Sequence, residues 1–393
     1  MKCLVLGCRC GAARVVETFR PDRHPRTCRT TTSTQAADER PGAQGTRGTG
    51  TEVTTMADVA RRAGVSVSTV SYALNGTRPI SAETRARIEA AMAELRYTPN
   101  IHARRLRGLQ SKIIALLYPG RGRGIDISSL GYILGASDHA QSMDYHLLLW
   151  TTEAGSLASL RTLVGQGLLD GVLLMEVKMD DPRITVLTEA GIPFAMIGQT
   201  GRTIDVDWVD TDFDQCVHVA LEHLATLGHR HVVFVNQAAP ILETRLSFAI
   251  RAQQAAQTAA ARMGLDLATV ACDSTAAAGS SLINRLLDQD PQLTGVLTLN
   301  EQAAPGIMAG ALTRGLRVPD HLSIVAIAMS EQAALMSAPA MTTVSPDERE
   351  MGRLGIELLI NRLEGKPGAH TQKLFEGTLQ IRGTSGPAPT QIS

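Results

Sequence analysis

From Lys112 onward the chain alternates short apolar runs with amphipathic stretches, and this alternation restricts its fold more than any other feature. Eight apolar runs occur, which read KIIALLYP, YHLLLWTT, DGVLLM, IPFAMIG, HVVFVN, LATVAC, GVLTLN and LSIVAIA. Helical periodicity falls between them, at residues 129–143, 156–168, 182–191, 212–228, 247–264, 278–289, 302–315 and 347–364. Continuous apolar strands separated by helices predict parallel sheets that are covered on both faces. So many units predict two doubly wound subdomains, with a ligand cleft at the carboxyl ends of the strands.

Charge is spread unevenly along the chain. Residues 56–112 contain ten Lys and Arg against four Asp and Glu, whereas residues 113–393 contain 19 against 29. A small basic module ahead of a large acidic body predicts a head that binds a polyanion. No apolar run approaches the roughly 18 residues that a membrane-spanning helix needs, so we expect no membrane partner.

The first 53 residues differ from the rest. Their apolar run is too short, and too rich in Cys and Arg, for a secretory signal, and the Thr/Gly/Arg-rich stretch after it has no periodicity. We therefore expect residues 1–53 to be a disordered extension, or to lie upstream of the true translation start, which would then be Met56. The four cysteines of this segment match no zinc-binding spacing. Cys216 and Cys272 are the two further cysteines, and so few fit a reducing cytoplasm.

The sequence of residues 54–98 predicts three short helices. Thr55 can begin the first helix, Gly64 can end it, and Ser66 and Ser81 can cap the second and third. In the second helix Val70 and Leu74 lie at helical spacing and face the first, which turns Val67, Ser68, Ser71 and Tyr72 outward. Two helices joined by a tight turn form a helix-turn-helix, a DNA-binding motif. The alternative from spacing alone is a small helical bundle.

Residues 54–110 resemble the DNA-binding head of the lactose-repressor (LacI/GalR) family. The motifs are ADVARRAGVSVSTVSYALNG, ISAETRARIEAAMAELRYTPN and the hinge ARRL, in the family's order and spacing. The stretches VDTDFDQC and MTTVSPDEREMG resemble the subdomain junctions of the same family, so the resemblance extends to about residue 386. It implies a type I periplasmic-binding-protein-like body, in which the chain crosses three times between two lobes that open and close.

The resulting domain prediction has four parts after the extension. They are a helix-turn-helix head at 54–98, a hinge helix and linker at 99–111, an effector-binding and dimerisation body at 112–386, and a flexible tail at 387–393. Within the body we assign about 112–229 plus 328–345 to one subdomain and about 230–327 plus 346–386 to the other.

The resemblance implies roles for the head residues. The residues implied to read bases in the major groove are Val67, Ser68 and Tyr72. Those implied to contact the sugar-phosphate backbone are Thr55, Ser66, Thr69, Ser71, Asn75, Ser81, Thr84 and Asn100. The hinge and minor-groove residues are Ala103, Arg104 and Leu106, of which the leucine would wedge into and kink the duplex; the alternative for it is a packing role between hinge and body.

Tyr72 departs from the lactose repressor, which has arginine at this position. Arginine bidentate to guanine is the commonest direct readout, whereas tyrosine offers one hydroxyl and a ring that can lie on a thymine methyl group. The resemblance therefore implies DNA binding but does not predict the operator sequence.

The cleft shows no catalytic motif. The sequence contains no G-x-S-x-G, no P-loop, no G-x-G-x-x-G after a strand and no His-x-x-x-His. The GRGRG run at 120–124 follows the first strand but lacks the Lys-Ser/Thr of a phosphate-binding loop, and we interpret it as a mobile loop. We therefore predict that the protein is not an enzyme and needs no cofactor.

In the family, polar side chains at strand ends hold a small, often sugar-like effector beside a stacked aromatic ring. Asn300 and Glu301 directly follow GVLTL, where the family places a key carboxylate, and Asp273 lies at another strand end. Trp150 is either the stacking platform or a core residue. Gln253 falls at the place of a family arginine; because glutamine has no charge and no bidentate fork, a sugar effector does not follow.

We interpret the chain as a homodimeric, cytoplasmic LacI/GalR-type transcriptional regulator, and we expect a repressor. Its two heads would bind half-sites of a near-palindromic DNA operator, and a small-molecule effector in the cleft would change operator affinity. The alternatives are a transporter's solute-binding protein, which would need an export signal and no basic head, and a sugar-acting enzyme, which would need an acid–base pair.

Overall fold

The computed structural model describes residues 54–75, 78–97, 110–120, 125–151, 156–366 and 368–390. The predicted extension at 1–53 lies outside them, as does nearly all of the predicted hinge and linker. Of the helices that the structure describes, none combines the length and the apolar character that a bilayer span requires.

The head contains three helices, α1 (Met56–Ala63), α2 (Val67–Asn75) and α3 (Ala82–Glu94). The predicted helix caps at Gly64, Ser66 and Ser81 are confirmed. Gly64 ends α1 at φ 66°, a left-handed conformation that glycine adopts without steric cost. Ser66 Oγ accepts a hydrogen bond from the Thr69 backbone N–H at 3.1 Å, and Ser81 Oγ accepts one from that of Thr84 at 3.2 Å. One apolar cluster joins the helices; it contains Val59, Ala60, Ala63, Val70, Ala73, Ile88, Ala91 and Tyr97.

Two six-stranded sheets form the body. The strands are β1 (Ile113–Leu117), β2 (His146–Trp150), β3 (Gly171–Leu174), β4 (Phe194–Ile197), β5 (Asp207–Thr211), β6 (His231–Asn236), β7 (Asp266–Ala271), β8 (Gly295–Thr298), β9 (Ser323–Ile327), β10 (Thr342–Ser345), β11 (Gln372–Phe375) and β12 (Thr378–Gln380). The helices are α4 (Ile127–Ser142), α5 (Leu157–Gly165), α6 (Pro182–Glu189), α7 (Phe213–Thr226), α8 (Ala239–Glu243), α9 (Ser247–Met263), α10 (Ala276–Gln289), α11 (Ala304–Thr313), α12 (Glu331–Leu335) and α13 (Glu348–Leu363).

The two sheets define two lobes. The first lobe is the sheet of order β11-β5-β4-β3-β1-β2, whose paired strands are all parallel, with the helices packed on it. The second lobe is the sheet of order β12-β10-β9-β8-β6-β7, parallel except at the pair β10–β12, with its own helices. The prediction of two doubly wound, mainly parallel subdomains is confirmed.

The chain crosses between the lobes three times, between β5 and α7, between β10 and α13, and between β11 and β12. The number is the one that the resemblance implied, but the predicted boundaries are wrong. Residues 328–345 belong to the second lobe, because β10 pairs with β9 there. Most of 346–386 belongs to the first lobe, because β11 pairs with β5; only the segment from β12 onward pairs in the second.

The boundary at residue 229 is also wrong, because α7 packs on the second lobe. A single cluster joins this helix to Phe234 of β6, Leu297 of β8 and Val344 of β10; its members on α7 are Phe213, Cys216, Val217, Ala220, Leu221 and Leu224. A helix that follows a strand has the same apolar stripe whether it packs on that strand's sheet or on the next one. The alternation of strands and helices therefore could not show where the chain crosses.

A close helix pair supports each lobe at the cleft, α4 with α13 in the first and α10 with α11 in the second. A Cβ atom added at Gly352 would overlap the Tyr132 carbonyl, and one at Gly306 would overlap the Ala276 carbonyl. The backbones approach this closely because glycine has no side chain there. Since α4 begins at the cleft, its packing on α13 fixes the position of a helix N-terminus that the site uses.

The predicted flexible tail is partly wrong. The Ala388 backbone N–H donates to the Leu227 carbonyl at 2.8 Å, and the Gly386 carbonyl lies 3.1 Å from His229 Nε2. The chain is therefore attached to the second lobe as far as Ala388. Residues 391–393 lie outside the described residues.

Candidate DNA-reading surface and ligand cleft

The outward face of α2 presents the three predicted base-reading residues together. Val67 is 44% exposed although Val70, one turn later in the same helix, is fully buried. Ser68 is exposed and Tyr72 is half-buried. The Arg78 guanidinium lies over the Tyr72 ring, 5.2 Å from its centroid, a cation–π contact that orders both side chains. The surface is apolar, hydroxylated and aromatic, with one adjacent cation.

Hydroxyl groups gather at the first turns of α2 and α3. Ser66 Oγ lies 2.8 Å from both Ser68 Oγ and Thr69 Oγ1, and Ser81 Oγ donates to Thr84 Oγ1 at 2.8 Å. The first N–H groups of a helix and nearby hydroxyls suit a phosphate oxygen. The predicted backbone-contacting set includes Ser66, Thr69, Ser81 and Thr84, together with Thr55, which is exposed, and Ser71, which is half-buried.

Four arginines of the head are engaged within it. Arg61 pairs with Asp58 and Arg62 with Glu94. Arg85 donates to the Ala73 carbonyl at 3.2 Å, and Arg87 donates to the carbonyls of Ala63 and Gly64. The last two side chains cap the C-terminal ends of α2 and α1, where a cation is favourable. These four arginines therefore help to stabilise the fold of the head.

The other predicted DNA contacts lie outside the described residues. These are Asn100, Ala103, Arg104 and Leu106. Asn75 ends α2, and its side chain is also outside the description.

A cleft of about 910 Å³, part of it open to solvent, lies between the lobes. It is bordered by the carboxyl ends of β1, β3, β4 and β5 in the first lobe and by those of β6 to β9 in the second, which is where the fold predicts a ligand. The polar residues that line it are Tyr118, Asp126, Ser128, Ser129, Tyr132, Glu176, Asp210, Thr211, Gln237, Ser247, Ser274, Asn300, Glu301 and Gln302. Its apolar surface includes Met175, Ile197, Phe213, Phe248, Leu299 and Met351.

Glu301 links the two lobes across this cleft. Its carboxylate accepts hydrogen bonds from the backbone N–H groups of Ile127 at 3.0 Å and Ser128 at 3.3 Å, and from the Ser128 hydroxyl. Ser128 Oγ also accepts from the Ser330 backbone N–H at 2.7 Å. Burial raises the pKa of Glu301 despite these bonds, because desolvation disfavours the charged form. The carboxylate occupies the N-terminus of α4, a position favourable for an anion.

A second link joins Asp210 at the end of β5 to Arg251 on α9. Arg251 Nη1 lies 2.7 Å from Asp210 Oδ2, and both side chains are largely buried. Burial raises the pKa of Asp210 to about 6, although the Arg251 charge lowers it. A desolvated carboxylate with one cationic partner is therefore part of the lobe contact.

Only two of the five predicted effector contacts line the cleft, Asn300 and Glu301. The Asn300 amide is fully used, since Nδ2 donates to the Cys272 carbonyl at 2.7 Å and Oδ1 accepts from the Ala303 N–H at 3.2 Å. It therefore orders the strand ends.

The other three predicted effector contacts do not line this cleft. Trp150 ends the edge strand β2 and lines a smaller cavity with Leu117 and Arg183. Gln253 lies inside α9, where its carbonyl oxygen accepts from the Asn236 side chain at 3.1 Å. Asp273 is exposed, and its neighbour Ser274 lines the cleft instead.

Other cleft residues were missed by the sequence analysis, Asp210, Gln237 and Ser247 among them. Asp210 lies on β5, whose sequence DWVDT is too polar to be recognised as a buried strand. Gln237 directly follows the predicted strand HVVFVN, a signal that could have found it. Ser247 is the first residue of α9, and its position depends on where that helix begins.

Comparisons with known proteins agree with this geometry. The description "Bacterial regulatory proteins, lacI family" matches residues 55–100, and "Periplasmic binding protein-like domain" matches residues 221–385. Together the two matches cover more than half of the chain. The chain belongs to the LacI family.

Its relatives in this family match over nearly their whole length. The HTH-type transcriptional regulator AglR of Rhizobium meliloti (strain 1021) is 29% identical over 343 residues, which are 85% of this chain and 95% of that protein. The ribose operon repressor of Haemophilus influenzae is 29% identical over 336 residues, 84% of this chain and 97% of that protein. This LacI-family chain is a DNA-binding transcriptional regulator and not an enzyme.

Solved structures share the fold. The lac repressor dimer bound to operator and the anti-inducer ONPF has a TM-score of 0.73 at 24% identity, covering 85% of this chain and 100% of that chain. The complex of the transcriptional regulator CelR with cellobiose has a TM-score of 0.63 at 25% identity, covering 84% of this chain and 100% of that chain.

Proposed function

We propose that this LacI-family regulator is a repressor that binds a near-palindromic DNA operator as a homodimer. The observation that carries the proposal is the face of α2, where Val67, Ser68 and Tyr72 are turned outward while Val70 packs inward. Two such heads, related by a two-fold axis, match the symmetry of a palindromic duplex.

Within the head we assign two kinds of contact. Val67, Ser68 and Tyr72 read base edges, and Tyr72 is presented with Arg78 against its ring. Hydroxyl groups of α1, α2 and α3, most of them at the first turn of a helix, contact the phosphate backbone; they belong to Thr55, Ser66, Thr69, Ser71, Ser81 and Thr84. The predicted contacts of Asn75, Asn100, Ala103, Arg104 and Leu106 remain part of the proposal on the basis of the sequence.

The cleft regulates operator affinity by binding a small organic molecule between the lobes. Its walls come from both lobes, and Glu301 and Arg251 of the second lobe already bond to the first. A molecule that inserts there changes the distance and angle between the lobes, and the heads are connected to the first lobe in sequence. The binding of the effector and the binding of the operator are thereby coupled through the relative position of the two lobes.

Selection of duplexes from a random pool by the full chain tests the proposal. The expected result is enrichment of a two-fold symmetric sequence, shifted in a gel at moderate salt. Tyr72→Ala should weaken that binding by about 1–3 kcal/mol, while Glu89→Gln, an exposed position on α3, should not weaken it. Failure to enrich any symmetric sequence would show that the proposed function is wrong.

A further inference from the structure

The chain enters the first lobe from the head beside a buried carboxylate, that of Asp170. Its Oδ1 accepts hydrogen bonds from the backbone N–H and from the hydroxyl of Ser111, both at 2.9 Å. Its Oδ2 accepts one from the Lys112 backbone N–H at 2.6 Å. Hydrogen bonds to a carboxylate are stronger than those between neutral groups. Asp170 therefore holds the two residues that directly precede β1.

Lys112 turns the backbone at this point. Its φ is 59°, in the left-handed region that residues other than glycine seldom adopt. Such a conformation costs free energy and persists where the surrounding structure fixes it. The Lys112 carbonyl accepts from the His146 N–H at 2.7 Å, and the Lys112 ammonium group lies 3.9 Å from the centroid of the Tyr145 ring. The body therefore determines the direction in which the chain arrives from the head.

Gln110 adds a second attachment. Its Nε2 donates to the Leu363 carbonyl, at the end of α13, at 2.6 Å, and its Oε1 accepts from the Tyr145 hydroxyl at 3.0 Å. Residues 110–112 thus bond to separate parts of the first lobe. We call residues 110–112 together with Asp170 the linker anchor.

Strand β3 connects the linker anchor to the cleft. It begins directly after Asp170, all four of its residues are buried, and it pairs with β1 on one side and β4 on the other. Met175, the residue after the strand, lines the cleft. From Asp170 to Met175 the extended chain spans about 17 Å. Because hydrogen bonds hold the strand on both sides, a displacement at one end is passed to the other.

The cleft end of β3 also leads to a contact with the second lobe. The Met179 backbone N–H donates to the Arg245 carbonyl, and the Ser247 N–H donates to the Val177 carbonyl, both at 2.9 Å. Arg245 and Ser247 lie at the start of α9, which packs in the second lobe. The segment after β3 therefore bonds to the other lobe, while the residue before β3 holds the linker.

We propose that Asp170 is a positioning residue for operator binding. It fixes the point and the direction in which the linker to the head leaves the first lobe, and β3 couples that point to the cleft and to the lobe contact. The inference rests on the proposed function, because a dimer that reads two half-sites needs a fixed distance between its heads. With the linker anchor intact, the two heads reach half-sites at one spacing, and a change in lobe position alters that spacing.

Half-site spacing tests the linker anchor on the full chain. The reference duplex is the symmetric sequence that the wild type selects, and two further duplexes have one base pair added or removed at its centre. One base pair shifts a half-site by about 3.4 Å and also rotates it. The wild type should therefore bind each altered duplex at least tenfold more weakly than the reference.

Asp170→Asn should reduce this discrimination to less than threefold. The amide has the size of the carboxylate, but its nitrogen is a donor and cannot accept from the groups that Asp170 binds. A change in spacing tolerance separates positioning from stability, because a protein that is only less stable would lose affinity for the three duplexes alike.

Gln110→Ala keeps the test decisive if Asp170→Asn does not fold. Gln110 is only half-buried, so this variant should fold normally and show a discrimination between those of the wild type and Asp170→Asn. Two controls should keep the tenfold discrimination. They are Gln166→Ala, at an exposed position after α5, and Leu286→Ala, which leaves a cavity in the core of the second lobe.

Two results would overturn the positioning role. One is the same discrimination in the wild type and both anchor variants, whether the three bind the altered duplexes weakly or as well as the reference. The other is a loss of discrimination in Leu286→Ala, which would make the effect one of general stability.

Glu301→Gln tests the coupling to the cleft, because it weakens a bond between the lobes. In the wild type it should change affinity for the reference duplex by at least threefold, and in the Gln110→Ala background by less. The same change in both backgrounds, or none in either, would overturn the coupling.

Selection by the wild type separates this inference from the proposed function. A wild type that selects no symmetric sequence refutes the proposed function. A wild type that selects one, with anchor variants that discriminate spacing as it does, refutes only the role of Asp170.

Discussion

The carboxylate of Glu301 in the second lobe caps α4 of the first lobe, accepting from the N–H groups of Ile127 at 3.0 Å and Ser128 at 3.3 Å. A helix N-terminus that faces a ligand cleft is thus occupied by a side chain of the protein. This bond favours a closed arrangement of the lobes before any effector binds. An effector must therefore either fit beside Glu301 or displace it from the helix.

Glu301→Gln should loosen this closure. The amide keeps one acceptor but loses the charge that the helix terminus favours, so the lobe contact should weaken by about 1 kcal/mol or more. Small-angle X-ray scattering should show a larger radius of gyration, and operator affinity should change with it. Asp273→Asn, nearby on the exposed surface, is the control. An unchanged radius of gyration would show that the bond does not hold the lobes together.

Arg251→Ala should destabilise the protein more strongly at pH 8 than at pH 5. Removing Arg251 leaves the buried Asp210 carboxylate without its cation, at a cost of about 3 kcal/mol when it is charged. The pKa of Asp210 is raised to about 6, and loss of Arg251 raises it further, so at pH 5 the carboxyl group is mostly neutral and needs no partner. Denaturant unfolding at both pH values measures the difference.

The double variant Asp210→Asn with Arg251→Ala supplies the control. Because its uncharged amide needs no cation, its free energy of unfolding should exceed that of Arg251→Ala at pH 8. Equal losses for the single and the double variant would mean that the pair is not coupled.

These two lobe contacts also show what the sequence could and could not predict. All eight helices predicted in the body exist, because each carries an apolar stripe at helical spacing whichever lobe it packs on. Strand β5 was missed because two of its five residues are aspartates. Asp207 is 1% exposed and pairs with Arg362 at 2.7 Å, a partner 155 residues away. Such compensation of a buried charge is not visible in local sequence.

The candidate site also has one part that the sequence could predict and one part that it could not. The reading face of α2 follows from local periodicity and caps, so the placement of Val67, Ser68 and Tyr72 could be predicted. The cleft is assembled from strand ends of two lobes, and its details depend on where each helix begins. The family resemblance placed Gln253 at the position of a ligand-binding arginine, whereas the structure brings Ser247 to the cleft, about two turns earlier in α9.

Tyr72→Arg should change the operator preference more than the affinity. Arginine can donate two hydrogen bonds to guanine, so duplex selection should yield guanine at the contacted position, with about 1–3 kcal/mol of discrimination. Arg78, which lies over the tyrosine ring, would then face a like charge. Adding Arg78→Ala to Tyr72→Arg should therefore preserve or improve binding to the new sequence. If selection returns the wild-type sequence, Tyr72 does not read a base.

Glu348→Gln should make the protein more stable above neutral pH and leave it unchanged near pH 4. Glu348 begins α13, and its Oε1 is buried without a partner among the described residues. Burial, and then the charges of Asp347, Glu301 and Glu331, raise its pKa to about 7. A carboxyl group whose pKa is raised by folding gives stability that is complete below its unfolded pKa and is lost as the pH rises through the folded value.

The amide mimics the protonated acid, so the variant should not lose this stability. Its melting temperature should exceed that of the wild type by about 2–4 °C at pH 8 and match it at pH 4. Glu189→Gln, at an exposed position near the end of α6, should show no such dependence on pH. A melting temperature for Glu348→Gln that is lower than that of the wild type at pH 8 would mean that the ionised carboxylate stabilises the junction where the chain returns to the first lobe.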